Sequence, residues 1–217
     1  MNYAAARHNM VENQIRTNRV TDPAILSALE NTPREVFVPK QLRGVAYVDD
    51  GLDLGSGRSL MEPLTFARLL QTAEITETEV VLDVGCGSGY SAAVLSRLAS
   101  TVVAVESDAD LAEQAKSRLA ELSVDNVALV AGPLNAGDAA HGPYDVIVIE
   151  GAVAEIPAAL TAQLADGGRL VAVVAGEKGL GRATLVARVG DVLSSRVVFD
   201  ATAALLPGFN AKSGFRF

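Results

Sequence analysis

Residues 81–90 read VLDVGCGSGY. An apolar, β-branched run from Val80 to Val84, interrupted by Asp83, meets three glycines at alternate positions, Gly85, Gly87 and Gly89, and then a segment with a helical pattern. That order predicts a buried strand, a tight loop and a helix, because glycine leaves the backbone bare where a ligand must approach it closely. A dinucleotide-binding turn requires Gly-x-Gly-x-x-Gly, and the sixth position here is Tyr90, whose bulk opposes close packing of helix on strand. The loop carries no Lys-Ser or Lys-Thr pair, which excludes a triphosphate-binding loop.

Outward from this loop, strand-like runs alternate with amphipathic stretches. The runs are VVLDV at 80–84, TVVAVE at 101–106, VALVAG at 127–132, DVIVIEG at 145–151 and RLVAVVAG at 169–176. Residues 91–99, 111–122 and 156–164 carry apolar side chains three or four apart, the spacing of one helix face. Apolar runs joined by helices predict a mostly parallel sheet covered on both sides, an α/β, three-layer Rossmann-like sandwich. ATLVARVG at 183–190 and VLSSRVVFDATAA at 192–204 add two strands around Gly190-Asp191, so the seven-stranded sheet ends in an antiparallel pair.

Before residue 79 the texture is helix and loop. Asp22-Pro23 is a helix start, since the carboxylate accepts a first-turn amide and proline loses no hydrogen bond there. Ile25, Leu26 and Leu29 give that helix an apolar stripe, and a second helix opens at Pro63 with Phe66, Leu69 and Leu70 on its buried face. Residues 46–58, AYVDDGLDLGSGR, are acidic and glycine-rich, an exposed loop or a flap over a site. The expected organisation is a single domain over 1–217, with a helical extension and flap at 1–78 and a ligand-binding core at 79–217.

Composition narrows the function. The 217 residues are 49% hydrophobic and 20% charged, sufficient for one sizeable core and short for two catalytic domains. A net charge of −8 argues against nucleic acid, whose phosphates need clustered cations. The lone Cys86 excludes an internal disulfide and fits a reducing compartment. His8 and His141 stand in no ligand spacing, so no metal is expected. The first ten residues lack a signal-peptide core, and no apolar run approaches the ~20 residues of a membrane-spanning helix, which predicts a cytoplasmic protein without a membrane partner.

Two acids point to the ligand. Asp83 stands in the strand before the glycine loop, where a carboxylate repels a pyrophosphate and suits a positive group. Glu106 ends the next strand, about 20 residues after the loop begins, where a carboxylate reaches both hydroxyls of a ribose. A ligand joining an adenosine ribose to a cationic amino acid, without phosphates, is S-adenosyl-L-methionine. Cys86 reads as a small residue in a tight turn rather than a nucleophile, since no base is placed beside it. Gly132 offers bare backbone beside an adenine, and Glu150, at the end of the fourth strand, either binds substrate or is solvated.

Together these segments resemble the protein-L-isoaspartate O-methyltransferase family from about Met10 to Gly176. MVENQIRTNRVTD at 10–22, PREVFVP at 33–39 and AYVDD at 46–50 are similar to its distinctive opening; VLDVGCGSGY, AVESD at 104–108, YDVIVIEGAVAEIP at 144–157 and QLADGGRLV at 163–171 are similar to the rest. The glycine loop alone marks a class I methyltransferase, whereas the PREVFVP opening is far more specific. The resemblance implies a protein-repair modification, methyl esterification of the abnormal α-carboxylate at isoaspartyl residues of proteins or peptides by S-adenosyl-L-methionine. The cofactor-binding set it implies is Asp83, Gly85, Cys86, Gly87, Ser88, Gly89, Glu106, Ser107, Gly132, Pro133 and Leu134. Within it, Gly85, Gly87, Ser88 and Gly89 border the methionine part, Glu106 the ribose, and Pro133 and Leu134 the adenine.

Three departures bear on the acceptor. Where the family reads Gln-Thr-Ile-Ser-x-Pro, this chain has Arg58, Ser59, Leu60, Met61, Glu62 and Pro63, so Met61 stands at the functional serine position and Ser59 at the threonine. The family's Gly-Asp-Gly becomes Gly132-Pro133-Leu134, which loses a carboxylate and one backbone donor. Its Val-Thr-Ala-Ala-Ala-Pro becomes 149–154, IEGAVA, and a charged Glu150 facing the cavity repels an acceptor carboxylate. A carboxylate acceptor is already ionised at pH 7 and needs no base, in keeping with the lack of a motif-placed His or Lys. Two other readings stay open: a methyltransferase with a different acceptor, and a non-catalytic module that binds S-adenosyl-L-methionine. The tail from Leu205, LLPGFNAKSGFRF, departs from the family, and its Phe209, Phe215 and Phe217 read as packing rather than a cleft cover or subunit contact. Nothing in the sequence sets the oligomeric state.

Overall fold

The computed structural model describes residues 1–176 and 179–210. Helix α1 (Tyr3–Asn9) runs into a π-helical turn at Met10–Ile15. Asp22 caps α2 (Pro23–Glu30) as the dipeptide predicts, its Oδ1 accepting the amides of Ala24 at 2.8 Å and Ile25 at 3.3 Å. Strands β1 (Leu52–Gly55) and β2 (Arg58–Leu60) form a separate antiparallel hairpin, and α3 (Pro63–Ala73) follows with proline in its first turn. Part of the stretch expected as an exposed loop or flap is therefore a folded ribbon. Its two-residue period turns Leu52, Arg58 and Leu60 inward, and Arg58 is only 2% exposed.

From Val80 strands and helices alternate: β3 (Val80–Val84), α4 (Tyr90–Leu95), β4 (Thr101–Glu106), α5 (Ala109–Glu121), β5 (Val127–Ala131), β6 (Tyr144–Val153), α6 (Ala158–Thr161) and β7 (Leu164–Val174). Strands β8 (Gly181–Val189) and β9 (Val192–Ala201) pair antiparallel around Gly190-Asp191, where Gly190 takes a φ of 57°. The seven strands lie in the order β5-β4-β3-β6-β7-β8-β9, parallel from β5 to β7. Two helices are shorter than their apolar spacing predicts. α4 ends as its ladder tightens to three-residue bonds at Arg97 and Leu98, and α6 starts only after Pro157 because β6 runs on to Val153.

The sheet has a core on each face. Val81, Val102, Ala104, Val146 and Val148 pack on the side of the N-terminal helices, while Leu82, Val103, Val105, Ile147 and Ile149 pack on the other. Successive side chains alternate across the pleat, so apolar runs with no polar face are what a doubly covered sheet demands. The chain moves outward from β3 to β4 and β5, then returns to add β6 and β7 on β3's other side. The carboxyl ends of β3 and β6 thus flank the switch point at which open α/β sheets place their ligands. No helix among the described residues is long and apolar enough to cross a membrane.

Candidate active site

After β3 the backbone turns through Gly85, Gly87 and Gly89 with φ of 86°, 56° and 99°, all left-handed. A Cβ on Gly89 would lie 3.0 Å from Cβ of Ala115, so glycine is what seats the start of α4 against α5. The amides of Gly85 and Cys86 donate to the Val105 carbonyl at 2.8 and 3.3 Å, fastening the loop to β4. Cys86 is buried, and burial pushes its thiol well up, away from thiolate chemistry. The Ser88 hydroxyl donates to the Phe37 carbonyl, so its side chain faces the N-terminal extension.

Tyr90 anchors that extension to the core. Its ring meets Phe37 edge-on at 5.7 Å and Phe66 at 5.9 Å, and the Arg34 guanidinium lies 4.9 Å from its centroid. Arg34 is fully buried and donates to the carbonyls of Ala46 at 2.8 Å and Met61 at 2.6 Å. The PREVFVP segment thereby fixes the backbone of Met61.

Glu106, fully buried at the end of β4, has both oxygens engaged by the chain itself. Oε2 accepts from the Gly87 amide at 2.7 Å and Arg58 Nη2 at 2.9 Å; Oε1 accepts from the amides of Ser107 at 2.8 Å and Asp108 at 3.0 Å. Arg58 Nη2 also donates to the Gly85 carbonyl at 2.6 Å, while its Nε and Nη1 are buried without a partner. Asp83 is likewise buried; its Oδ2 accepts from the Ser91 hydroxyl at 2.7 Å and its Oδ1 has no partner. Burial, with the nearby Glu106 charge adding to it, pushes the Asp83 carboxyl up to about 7. Beyond β5, Gly132 donates to the Glu106 carbonyl at 3.0 Å with open space where a Cβ would stand; Pro133 is exposed and Leu134 is buried in the core.

A cavity of about 220 Å³ adjoins this loop, bounded by Asp50, Arg58, Ser59, Met61, Glu62, Glu150, Gly151 and residues 202–206. It brings Ser59 and Met61, from β2 and the residue just after it, together with Glu150 from β6. Glu150 reaches it through an irregularity: β6 advances from Val148 to Ala152 while β7 advances only from Val171 to Val173, and the bulge re-aims the side chain. Glu150 Oε1 is buried without a partner, and burial, followed by the charge of Asp83, raises its carboxyl well above the ordinary range. The repulsion expected of a charged Glu150 is therefore lessened, since burial favours the neutral carboxyl, a form able to donate a hydrogen bond to an acceptor. The Ser59 hydroxyl donates to the Leu52 carbonyl at 3.2 Å, across the hairpin.

Three contributors were not legible as site residues. Arg34 appears in the sequence only within the PREVFVP run, and Arg58 only as the residue where the family carries glutamine, with no role given to either. Leu206 belongs to the tail, which returns beside β6: Ala152 donates to the Ala204 carbonyl at 2.8 Å and Leu206 to the Ala152 carbonyl at 2.9 Å. Leu206 is wedged so closely that a Cβ on Gly151 would lie 2.6 Å from its Cγ. Phe209 is buried in the core as packing, and Phe215 and Phe217 lie outside the described residues.

A glycine loop at the switch point of a parallel sheet, with an acid ending the second strand, defines the Rossmann-like methyltransferase class. The sequence profile of the Protein-L-isoaspartate(D-aspartate) O-methyltransferase family matches residues 5–198, and the chain belongs to that family. A protein-L-isoaspartate O-methyltransferase of Methanoculleus marisnigri is 41% identical over 86% of this chain and 84% of its own. A solved protein-L-isoaspartate O-methyltransferase superposes with a TM-score of 0.81 at 27% identity, over 93% of this chain and 66% of that longer one. A Plasmodium falciparum protein solved with S-adenosyl-L-homocysteine shares the fold at a TM-score of 0.77 and 16% identity, over 95% and 98% of the two chains.

Proposed function

We propose that the protein is an S-adenosyl-L-methionine-dependent methyltransferase that esterifies isoaspartyl carboxylates in proteins and peptides. The observation that carries this reading is the convergence, in a member of that family, of the Gly85–Gly89 turn, Glu106 and a cavity walled by Ser59, Met61 and Glu150 at one switch point. The residues present fit the cofactor: left-handed glycines bare the backbone, Asp83 Oδ1 is an orphaned acceptor for a cationic group, and Glu106 ends β4 beside the loop, where a diol would exchange for one of its present donors. When bound, the cofactor supplies a methyl group activated on a sulfonium.

The chain's own residues do the rest. In this reading the backbone at Gly85, Cys86, Gly87, Ser88 and Gly89, with Asp83, holds the amino-acid portion. Glu106 and Ser107 hold the ribose, and Gly132, Pro133 and Leu134 flank the adenine. Ser59 and Glu150 contact the acceptor, while the side chains of Met61 and Leu206, 5% and 3% exposed, exclude water from the line of transfer. Among the described residues no His or Lys lines the cavity, and a carboxylate nucleophile ionised at pH 7 asks for no base.

Incubation with labelled methyl donor and an isoaspartyl peptide is expected to give a base-labile ester, with none on the aspartyl control. No ester at high enzyme concentration overturns the reading. The buried thioether of Met61 on the cavity wall favours a second reading, a different acceptor. Under it the wild type esterifies isoaspartyl peptide negligibly and Met61→Ser gains that activity.

A further inference from the structure

We propose that Arg58 guards the ribose position on Glu106 until the cofactor arrives, and then swings into the adjoining cavity to receive the acceptor's carboxylate. The inference rests on the esterification reading and adds to it a residue that the family pattern does not supply, since glutamine occupies this position there.

Four observations carry it. The first is saturation of Glu106, whose oxygens already accept four hydrogen bonds from Arg58, Gly87, Ser107 and Asp108. A ribose diol needs at least one of those acceptor sites, and Arg58 is the one side-chain donor on a mobile stem holding Oε2. The second is that Arg58 is incompletely satisfied where it lies: Nε and Nη1 are buried without partners. Unpaired donors in a buried cation are costly, so the closed arrangement is held only by Nη2 and favours exchange for a ligand that uses the whole fork.

The third is position. Arg58 borders both places at once, its Nη2 lying 2.9 Å from where a Cβ on Gly85 would stand while the residue also lines the cavity with Ser59, Met61 and Glu150. It is borne by the β1–β2 hairpin, which shares no ladder with the seven-stranded sheet and turns through Gly55, Ser56 and Gly57, all left-handed. Leu54 on the same hairpin lies over Gly87, so one small element covers the glycine loop and can shift without breaking the main sheet. The fourth is charge. The cavity's titratable walls are Asp50, Glu62, Glu150 and Arg58, so Arg58 is its sole cation among the described residues. With Arg58 turned to Glu106 the cavity disfavours a carboxylate; with Arg58 released it presents a planar guanidinium suited to bind one. Binding is therefore ordered, cofactor first.

The test is calorimetric titration of S-adenosyl-L-homocysteine into wild type, Arg58→Gln and Arg58→Lys, then titration of isoaspartyl peptide with and without saturating S-adenosyl-L-homocysteine. Arg58→Gln is expected to bind S-adenosyl-L-homocysteine about ten-fold more tightly, because nothing has to be displaced, and the isoaspartyl peptide at least about ten-fold more weakly. Wild type is expected to bind the peptide only in the presence of S-adenosyl-L-homocysteine, and Arg58→Lys, which keeps the charge but not the fork and guards against a folding artefact, to bind it with an affinity between those of wild type and Arg58→Gln. Unchanged or weaker S-adenosyl-L-homocysteine binding by a folded Arg58→Gln reduces Arg58 to a brace and refutes the proposal. If wild type forms the ester and Arg58→Gln keeps its peptide affinity, the transfer of Arg58 alone fails. If wild type neither forms the ester nor binds the peptide, the esterification reading falls and this inference with it.

Discussion

Replacing Asp83 by asparagine should make the protein more stable at alkaline pH and leave it unchanged in acid. Burial is the main cause that lifts the Asp83 carboxyl from the ordinary 3.8 to about 7, Glu106 raising it further while the Ser91 hydroxyl and Arg58 pull it down. A folded value above the unfolded one means that the native state holds the proton more tightly. The stabilising proton is fully in place below pH 3.8 and is lost as pH rises through about 7. The interval between the two values sets an upper limit of about 4 kcal/mol on the destabilisation present at pH 9. Asparagine never carries the charge, and its side-chain oxygen still accepts from Ser91. The assay is guanidinium unfolding of both proteins at pH 4, 6, 7.5 and 9, because the difference between them cancels groups far from Asp83. The Asp83→Asn variant should gain about 2–4 kcal/mol at pH 9, a gain that vanishes by pH 4. A variant no more stable than wild type at pH 9, or a gap independent of pH, refutes the reasoning. S-adenosyl-L-homocysteine affinity should fall in the same variant, since the orphaned Oδ1 would lose its charge.

Two further outcomes are expected. Gly89→Ala places a Cβ 3.0 Å from Ala115 Cβ and 3.1 Å from its Cα at a φ of 99°, costing about 2–4 kcal/mol in denaturant unfolding; a loss under about 0.5 kcal/mol would show that α4 and α5 yield freely. Esterification should decline on the alkaline side as Glu150, raised by burial, loses its proton and begins to repel the acceptor. Glu150→Gln should remove that decline in kcat/KM while retaining activity at neutral pH, and an unaltered pH profile would show that Glu150 does not face the acceptor.

Much of the fold was legible because its causes are local. Apolar runs without a polar face announced a doubly covered sheet, Asp22-Pro23 announced a capped helix, and Gly190-Asp191 announced the hairpin that ends the sheet. The loop at 46–58 was harder: its glycines and acids read as an exposed loop or a flap over a site, and the pairing of Leu52 with Leu60 makes a ribbon whose inward face carries an arginine. Helices at 91–99 and 156–164 were overestimated, since apolar spacing does not record how far the preceding strand runs or where the ladder tightens.

By itself the sequence determined the strand–loop–helix order, the left-handed glycines and the acid at the end of the second strand, because backbone conformation and two- or three-residue periodicities are written in neighbouring letters. The occupancy of the site was decided by tertiary structure alone. Arg58 reaches Gly85 across 27 residues and Glu106 across 48, and Arg34 reaches Met61 across 27. A bulge in β6 turns Glu150 into the cavity, and the returning tail wedges Leu206 against Gly151. Such contacts have no period and no local propensity; they arise only when separate elements pack and a side chain exchanges water for whichever buried partner the fold has brought within reach.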